Sequence, residues 1–241
     1  MREPKIAELS LNKANGERGS VKVMVKSTGV SYKAKEKKTG ALSPRAPEKI
    51  KKNRAEEMKV YGENACLELF AERPESIVRV WATVQMAHRI GEIFSYLAAN
   101  KKVYHVVDSD ELSLVSGTEH HGGICMLVKK QRTFSLLGYL DVPRQEDCLV
   151  VLDQVNNAQN LGGVVRTCAF YGIKNVVTNQ VEQLYAPAAM RVAEGGMEHI
   201  RILETESTEI ALEALRKAGY QIIHVSTNKQ GVALEQLKFA D

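Results

Sequence analysis

The chain has 241 residues, 44% of them apolar, and a formal net charge of +4. That length allows one large core or two small ones, and no apolar run approaches the ~18 residues of a membrane helix. The N-terminal MREPKIAELSLNK lacks an apolar signal core, which argues against secretion and gives the cytoplasm as the expected location.

Charge is unevenly spread. Residues 1–54 hold 15 Lys/Arg against 5 Asp/Glu. They also carry Pro4, Pro44, Pro47 and the runs KAKEKK and KIKKNR. So little burial is available to offset the entropy of ordering that 1–54 reads as a basic disordered arm. Within it, VKVMVKS (21–27) alternates like a strand and is a candidate ordered island. Lys33, Lys35, Lys37, Lys38, Lys51, Lys52 and Arg54 are the arm's candidate contacts to a polyanion, RNA above all, through release of counterions from phosphate.

Residues 55–130 alternate helix and strand. ENACLELFAER places Ala65, Leu69 and Phe70 on one helical side. SIVRVWATV (76–84) is β-branched and reads as a strand. AHRIGEIFSYLAAN spaces Ile90, Ile93, Phe94 and Leu97 as one helix. KVYHVVD is a second strand, DELSLVSG a helix capped by Asp108 or Ser109 and stopped at Gly117, and GGICMLVKK a third strand. His120 and His121 are adjacent, and no Cys or acidic residue stands at ligand spacing, so no metal site is expected. Cys66, Cys125, Cys148 and Cys168 lie far apart in apolar stretches and read as buried free thiols.

Residues 131–147 read as a polar linker. A second α/β unit, 148–241, follows. CLVVLDQV (148–155) is an apolar strand of the kind covered on both faces, GGVVRTCAFYG is helical, and IKNVVTN is a strand. A short helix is expected at 186–194, a loop at Gly195-Gly196, and a strand at HIRIL. The helix STEIALEALRKAG, with Ser207 as cap and Gly219 as stop, leads to a last strand, YQIIHVS. Strands alternating with helices imply a mostly parallel sheet.

DQVNNAQNLGGVVRTCAFYG (153–172) carries the chemistry. A strand end, a polar loop and a glycine pair opening a helix place a ligand site at the sheet's carboxyl edge. Asn160 is expected as N-cap, with Gly162 and Gly163 permitting close approach of another backbone or a nucleotide. The Arg166 side chain leans back toward the helix start. An anion there meets free N–H groups, the helix dipole and a permanent charge. The spacing does not fit a GxGxxG fingerprint.

NNAQNLGGVVRTCAFYGIKNVV resembles the first signature of the SpoU (TrmH-like) RNA ribose 2'-O-methyltransferase family, and, within it, the YfiF-type branch. MRVAEGGMEHIRI is similar to that family's next segment. YGENACLELF and TEHHGGICMLVKK resemble its N-terminal substrate domain. The resemblance covers about residues 55–241. It implies an L30-like α/β substrate-binding domain followed by a SPOUT-type α/β-knot domain with a mostly parallel sheet. It also implies S-adenosyl-L-methionine as cofactor, tRNA or rRNA as partner, and a homodimer. Arg166 corresponds to an arginine that positions or activates the ribose 2'-hydroxyl, and Asn160 to the asparagine that organises it. Because a guanidinium is a poor base, Arg166 is read as a hydrogen-bonding and electrostatic group. Glu198 and His199 read as structural residues at a strand start.

Two further signatures of that family, a Gly-x-Glu-Gly loop and a Ser-Leu-Asn run, are missing from the sequence. The resemblance assigns those two segments to the grip on the cofactor, so the expectation is a chain holding the substrate domain and the first part of the catalytic domain, with cofactor affinity lost. Ser226 and Thr227 are the cofactor-binding positions that would border the pocket in a complete domain. A non-catalytic RNA-binding protein, or a ribosome-associated factor, is the alternative reading.

Overall fold

Two four-stranded sheets organise the described residues, each built where apolar residues alternate or run together. The computed structural model describes residues 5–12, 18–25, 56–144, 146–225 and 232–237. β1 (Lys5–Asn12) and β2 (Arg18–Val25) form an antiparallel hairpin. Residues 21–25 of the expected island thus have a partner strand, and 5–12 and 18–25 depart from the disorder expected of the whole arm. The arm's seven candidate RNA contacts lie outside the described residues.

The first sheet has the order β3 (Glu57–Tyr61), β6 (Ile124–Lys129), β4 (Ile77–Thr83), β5 (Val103–Val107), antiparallel except between β4 and β5. One face buries Val60, Val80, Ala82, Met126 and Val128. They pack in one core with Cys66 and Leu69 of α1 (Glu63–Glu72), Met86 of α2 (Val84–Arg89), and Ile93, Phe94 and Leu97 of α3 (Gly91–Ala99). The single helix expected over 87–100 is two, broken at Ile90 (φ −107, ψ 36). The Thr83 hydroxyl accepts from Met86 N and starts a separate short turn, and the buried Ile90 is drawn into the core. α4 (Ser109–Ser116) closes one end of the other face, where Leu112 meets Tyr61, Val107 and Cys125. Asp108 caps it through Glu111 N, and Gly117 ends it in the left-handed region.

The second sheet is wholly parallel, in the order β7 (Phe134–Ser135), β10 (Arg201–Glu204), β9 (Asn175–Thr178), β8 (Leu149–Val151). Its inner strands bury Val176, Val177, Ile202 and Leu203. Instead of a long, doubly covered strand, β8 is three half-buried residues at the edge. The expected linker 131–147 supplies β7 and α5 (Leu136–Leu140), because Leu136 and Tyr139, three apart, are both buried against α9 (Thr208–Lys217) and the sheet. The expected strand at 220–226 is not formed over 220–225. Tyr220 and Ile222 pack on the second core, while Ile223 and Val225 point to solvent, and among the described residues no strand pairs with this segment. Three cysteines are buried, but Cys148 is exposed at the start of the edge strand, contrary to expectation.

α6 (Ala158–Phe170) is followed by the short α7 (Val181–Leu184) and crosses α8 (Pro187–Val192) at backbone distance. A Cβ on Gly162 would lie 2.6 Å from Ala189 O and 2.9 Å from Ala193 N, whereas one on Gly163 would meet nothing within 4 Å. Gly162→Ala is expected to lower unfolding free energy by about 1–3 kcal/mol through forced separation of the helices. Gly163→Ala should raise it by about 0.5–1 kcal/mol by restricting the unfolded chain. Paired urea titrations check this, and equal shifts of one sign would refute the close crossing.

Below the sheet, Asp147 accepts from Tyr139 Oη (2.8 Å) and Tyr220 Oη (2.6 Å), and Asn175 Nδ2 donates to Tyr139 Oη (2.8 Å). Burial, and then the bond to Asp147, raise the phenol pKa of both tyrosines. Burial pushes Tyr185 up to about 12. Each phenol keeps its proton longer when folded, so this stabilisation is complete below the unfolded value near ~10 and is lost as pH rises above it. Urea midpoints should fall between pH 10 and 12. Tyr220→Phe should flatten that fall, and an unchanged slope would discount the cluster.

Candidate functional site

The helix start is built differently from the sequence expectation. Asn157, not Asn160, is the N-cap of α6: its Oδ1 accepts from Gln159 N at 2.7 Å. The run N-N-A-Q-N offers three asparagines as caps, and the middle one, Asn157, takes the role. Asn160 sits in the first turn with its side chain exposed.

A polar cleft of about 330 Å³ lies between the two sheets' domains. One wall is Gly62, Glu63, Asn64, Ala65 and Gly122; the other is Gln159, Arg166, Arg191, Val192 and Glu194. Gln159 and Arg166 are seven apart, two helical turns, and share a face, whereas Asn160 stands about 120° around the helix from Arg166. The structure therefore brings Arg166 together with Gln159 inside the cleft, and Asn160 is not among the lining residues. Sequence reasoning missed Gln159 and Arg191. The heptad step back from Arg166, and an arginine amid the small residues of AAMRVA, were the available signals.

Arg166 Nη1 lies 3.4 Å from Glu194 Oε1, both side chains about half exposed (54% and 49%). Such a pair is worth little and opens readily to an anionic ligand. Glu194 has φ 49, in the left-handed region that non-glycine residues seldom adopt, a local strain often found at working sites. Across the cleft, Gly62 has φ 99 and lies against the Arg191 side chain, 3.1 Å from a Cβ there to Cγ. Among the described residues Arg191 forms no ion pair, while Arg89 pairs with Glu63. Two guanidiniums thus converge beside the first turn of α6, where backbone N–H groups and the helix dipole also favour an anion. The arrangement can hold a phosphate and a polar hydroxyl side by side.

The turn behind Arg166 is fixed from the other domain. A Cβ on Gly196 would lie 3.0 Å from Arg166 Cα. Glu198, in the 3-10 turn Gly196–His199, accepts from Arg73 Nε (2.5 Å) and Gln131 Nε2 (2.8 Å), and His199 Nε2 lies 2.7 Å from Glu68 Oε1. Both residues brace the two domains and take no part in lining the cleft. His121 is buried, its Nδ1 accepting from Gly123 N at 3.0 Å, so it shapes the Gly122-Gly123 loop at the cleft wall. A larger hollow of about 440 Å³, lined by Thr133, Asn179, Gln183 and Glu204 among others, lies apart from Arg166 at the ends of β9 and β10. Ser226 and Thr227 fall outside the described residues. No helix among the described residues is long and apolar enough to cross a membrane.

Residues 147–241 match the SpoU rRNA Methylase family, and residues 59–134 match the family of RNA 2'-O ribose methyltransferase substrate-binding domains. An uncharacterized tRNA/rRNA methyltransferase of Haemophilus influenzae is 69% identical over 99% of this chain and 69% of its own length. The tRNA/rRNA methyltransferase YfiF of Escherichia coli O157:H7, also named uncharacterized, is 43% identical over 76% of this chain and 53% of its own. The chain therefore spans between half and seven-tenths of these relatives. In fold it resembles the crystal structure of an AdoMet-bound rRNA methyltransferase from Sinorhizobium meliloti, with TM-score 0.55 and 18% identity over 72% of this chain and 63% of that one.

Proposed function

The chain belongs to the SpoU methylase family, and from that premise we propose that it methylates the ribose 2'-hydroxyl of a tRNA or rRNA nucleotide held in the Arg166 cleft. The observation that carries this reading is the convergence of Arg166, Arg191 and Gln159 opposite the glycine turns at Gly62 and Gly122. S-adenosylmethionine, when bound, supplies an electrophilic methyl group on its sulfonium. At the carboxyl end of β8 the exposed Asp153, which accepts from Thr208 Oγ1 at 2.7 Å, offers a carboxylate to such a cation. Asp153 and Thr208 would help hold the donor, with Ser226 and Thr227 as further proposed contacts.

In this proposal Arg166 donates hydrogen bonds to the 2'-oxygen and to the adjoining phosphate. The hydroxyl proton passes to a water or to an RNA phosphate oxygen, because the guanidinium already holds its own. Negative charge building on the 2'-oxygen is met by Arg166 in a partly desolvated cleft, and most of the rate gain comes from orientation and this electrostatic contact. Arg191 and Gln159 fix the nucleotide's phosphate and sugar. Asn160, exposed on the same first turn, contacts the neighbouring nucleotide and orders it for Arg166. The basic arm adds affinity for RNA that is blind to sequence and falls with salt. The working protein is a cytoplasmic homodimer in this reading, which sedimentation checks directly.

The deciding experiment incubates the protein with methyl-tritiated S-adenosylmethionine and unmodified tRNA or rRNA, then hydrolyses the RNA in alkali. A 2'-O-methyl group blocks cleavage, so label is expected in alkali-resistant dinucleotides. Label confined to mononucleotides or bases would refute ribose methylation. RNA binding without any transfer would favour the non-catalytic reading.

A further inference from the structure

The first sheet has a second face: α4 covers one end of it, and β2 lies beside its edge strand β5 among the described residues. Strand alternation puts Lys59 and Tyr61 of β3, Arg79, Trp81 and Thr83 of β4, Val103 and His105 of β5, and Leu127 and Lys129 of β6 on this face. It lies opposite the residues that pack on α1, α2 and α3. The register sets two rows across the strands: Lys59, Leu127, Arg79, Val103; and Tyr61, Cys125, Trp81, His105. Trp81 and His105 are stacked, with ring centroids 6.0 Å apart at 21°, and the Arg79 guanidinium lies 5.6 Å from the Trp81 ring. Arg79, His105, Lys59 and Lys129 are exposed or half-exposed and Trp81 is half-buried, so one edge of its ring is held by the Leu112 cluster while part remains open to solvent. Glu57, level with Lys129, is the acid on this face among the described sheet residues.

A tryptophan on an open sheet face, flanked by an arginine and by further cations, has the chemistry of a surface that stacks bases and tracks phosphates. Away from the α4 end, where Asp110 and Glu111 lie and Lys59 Nζ donates to Val115 O, the strands set three cations against one acid, which favours a polyanion over a protein partner of ordinary surface charge. A duplex hides its base faces, so stacking selects unpaired nucleotides. We propose that this face is a stacking platform for unpaired RNA, with Trp81 the ring on which a base lies and Arg79, Lys59 and Lys129 its phosphate contacts. The platform rests on the reading of the protein as RNA-acting and names the feature of the substrate it grips outside the Arg166 cleft.

Trp81 is the sequence's single tryptophan, so its emission reports this face alone. A labelled oligouridylate is titrated into the full chain while anisotropy and Trp81 emission are followed together. Quenching with the same midpoint as the anisotropy rise is expected, and it should persist in Arg166→Ala. Trp81→Leu should weaken binding about tenfold without altering the salt slope, and Trp81→Phe should retain most of the affinity. Arg79→Gln should lower that slope by about one. Circular dichroism confirms that each variant folds, and Arg79→Gln, on the open side of the sheet, reads out the face even if Trp81→Leu does not fold. An anisotropy rise with unchanged Trp81 emission, or unaltered binding by Trp81→Leu, would overturn the platform while leaving the methyl-transfer reading standing. The absence of any RNA binding would overturn both.

Discussion

Arg166→Ala is expected to slow methyl transfer by about 10²- to 10³-fold, the usual loss when one group aimed at developing charge is removed. Its fold should be unaffected. The guanidinium is more than half exposed, and its 3.4 Å pair with a half-exposed Glu194 contributes about 0–1 kcal/mol at most. RNA affinity should fall only slightly, since Arg191 and the helix start still attract phosphate, so the loss belongs in kcat. Arg166→Lys should recover little. A point charge on a flexible stem cannot donate to a hydroxyl and a phosphate at once, as the planar fork can. Single-turnover transfer with saturating RNA measures the effect, and a rate within twofold of the parent would remove Arg166 from the chemistry. The same assay on Gln159→Ala and Asn160→Ala ranks the two amides. The cleft geometry favours the larger loss at Gln159, and a larger loss at Asn160 would mean the nucleotide lies outside the cleft.

These residues show which parts of the site a sequence can carry. A helix carrying Arg166 shortly after a strand end is a local pattern, although it starts at Ala158 and not at the glycine pair; so are the Asp108 and Ser207 caps and the stop at Gly117, each set by a hydrogen bond or backbone angle within four residues. Which of three asparagines caps α6 depends on where β8 ends, and β8 is shortened by its place at the sheet edge. β7 is two residues long and exists because it pairs with β10 nearly seventy residues later, which no local pattern of 131–147 can announce. The cleft has the same origin. Gly62 meets Arg191, and Gly122 shares their cleft, only because α8 packs against β3, and an arginine among alanines gives no hint of that partner. Local signals thus located the helix that carries Arg166, and tertiary packing decided which of its side chains share a cavity.

Glu198→Ala should cost about 3–5 kcal/mol of unfolding free energy, more than the forced helix separation of Gly162→Ala. The Glu198 side chain is 1% exposed and Arg73 12%. The two oxygens accept from Arg73 Nε and Nη2 and from Gln131 Nε2, while Arg73 Nη1 also donates to Lys129 O (2.7 Å). One carboxylate therefore holds the end of α1, the end of β6 and the turn before β10 together. Truncation leaves a guanidinium buried with no counter-charge, which is costlier than the pair is stabilising. Glu198→Gln, which keeps the shape and an acceptor oxygen, should lose less. The double variant Arg73→Met with Glu198→Leu should regain much of the loss, because neither charge then remains buried. Urea unfolding of the parent and these three variants tests the brace, and a Glu198→Ala shift below about 1 kcal/mol would show that water already reaches the pair. The consequence extends to the site. Gly196, two residues before Glu198, touches the Arg166 backbone, so a loosened turn should weaken RNA binding in the cleft even where the folded population is restored by low temperature. If RNA affinity survives in folded Glu198→Ala, the brace serves stability alone, and the position of Arg166 is set by the α6–α8 crossing at Gly162.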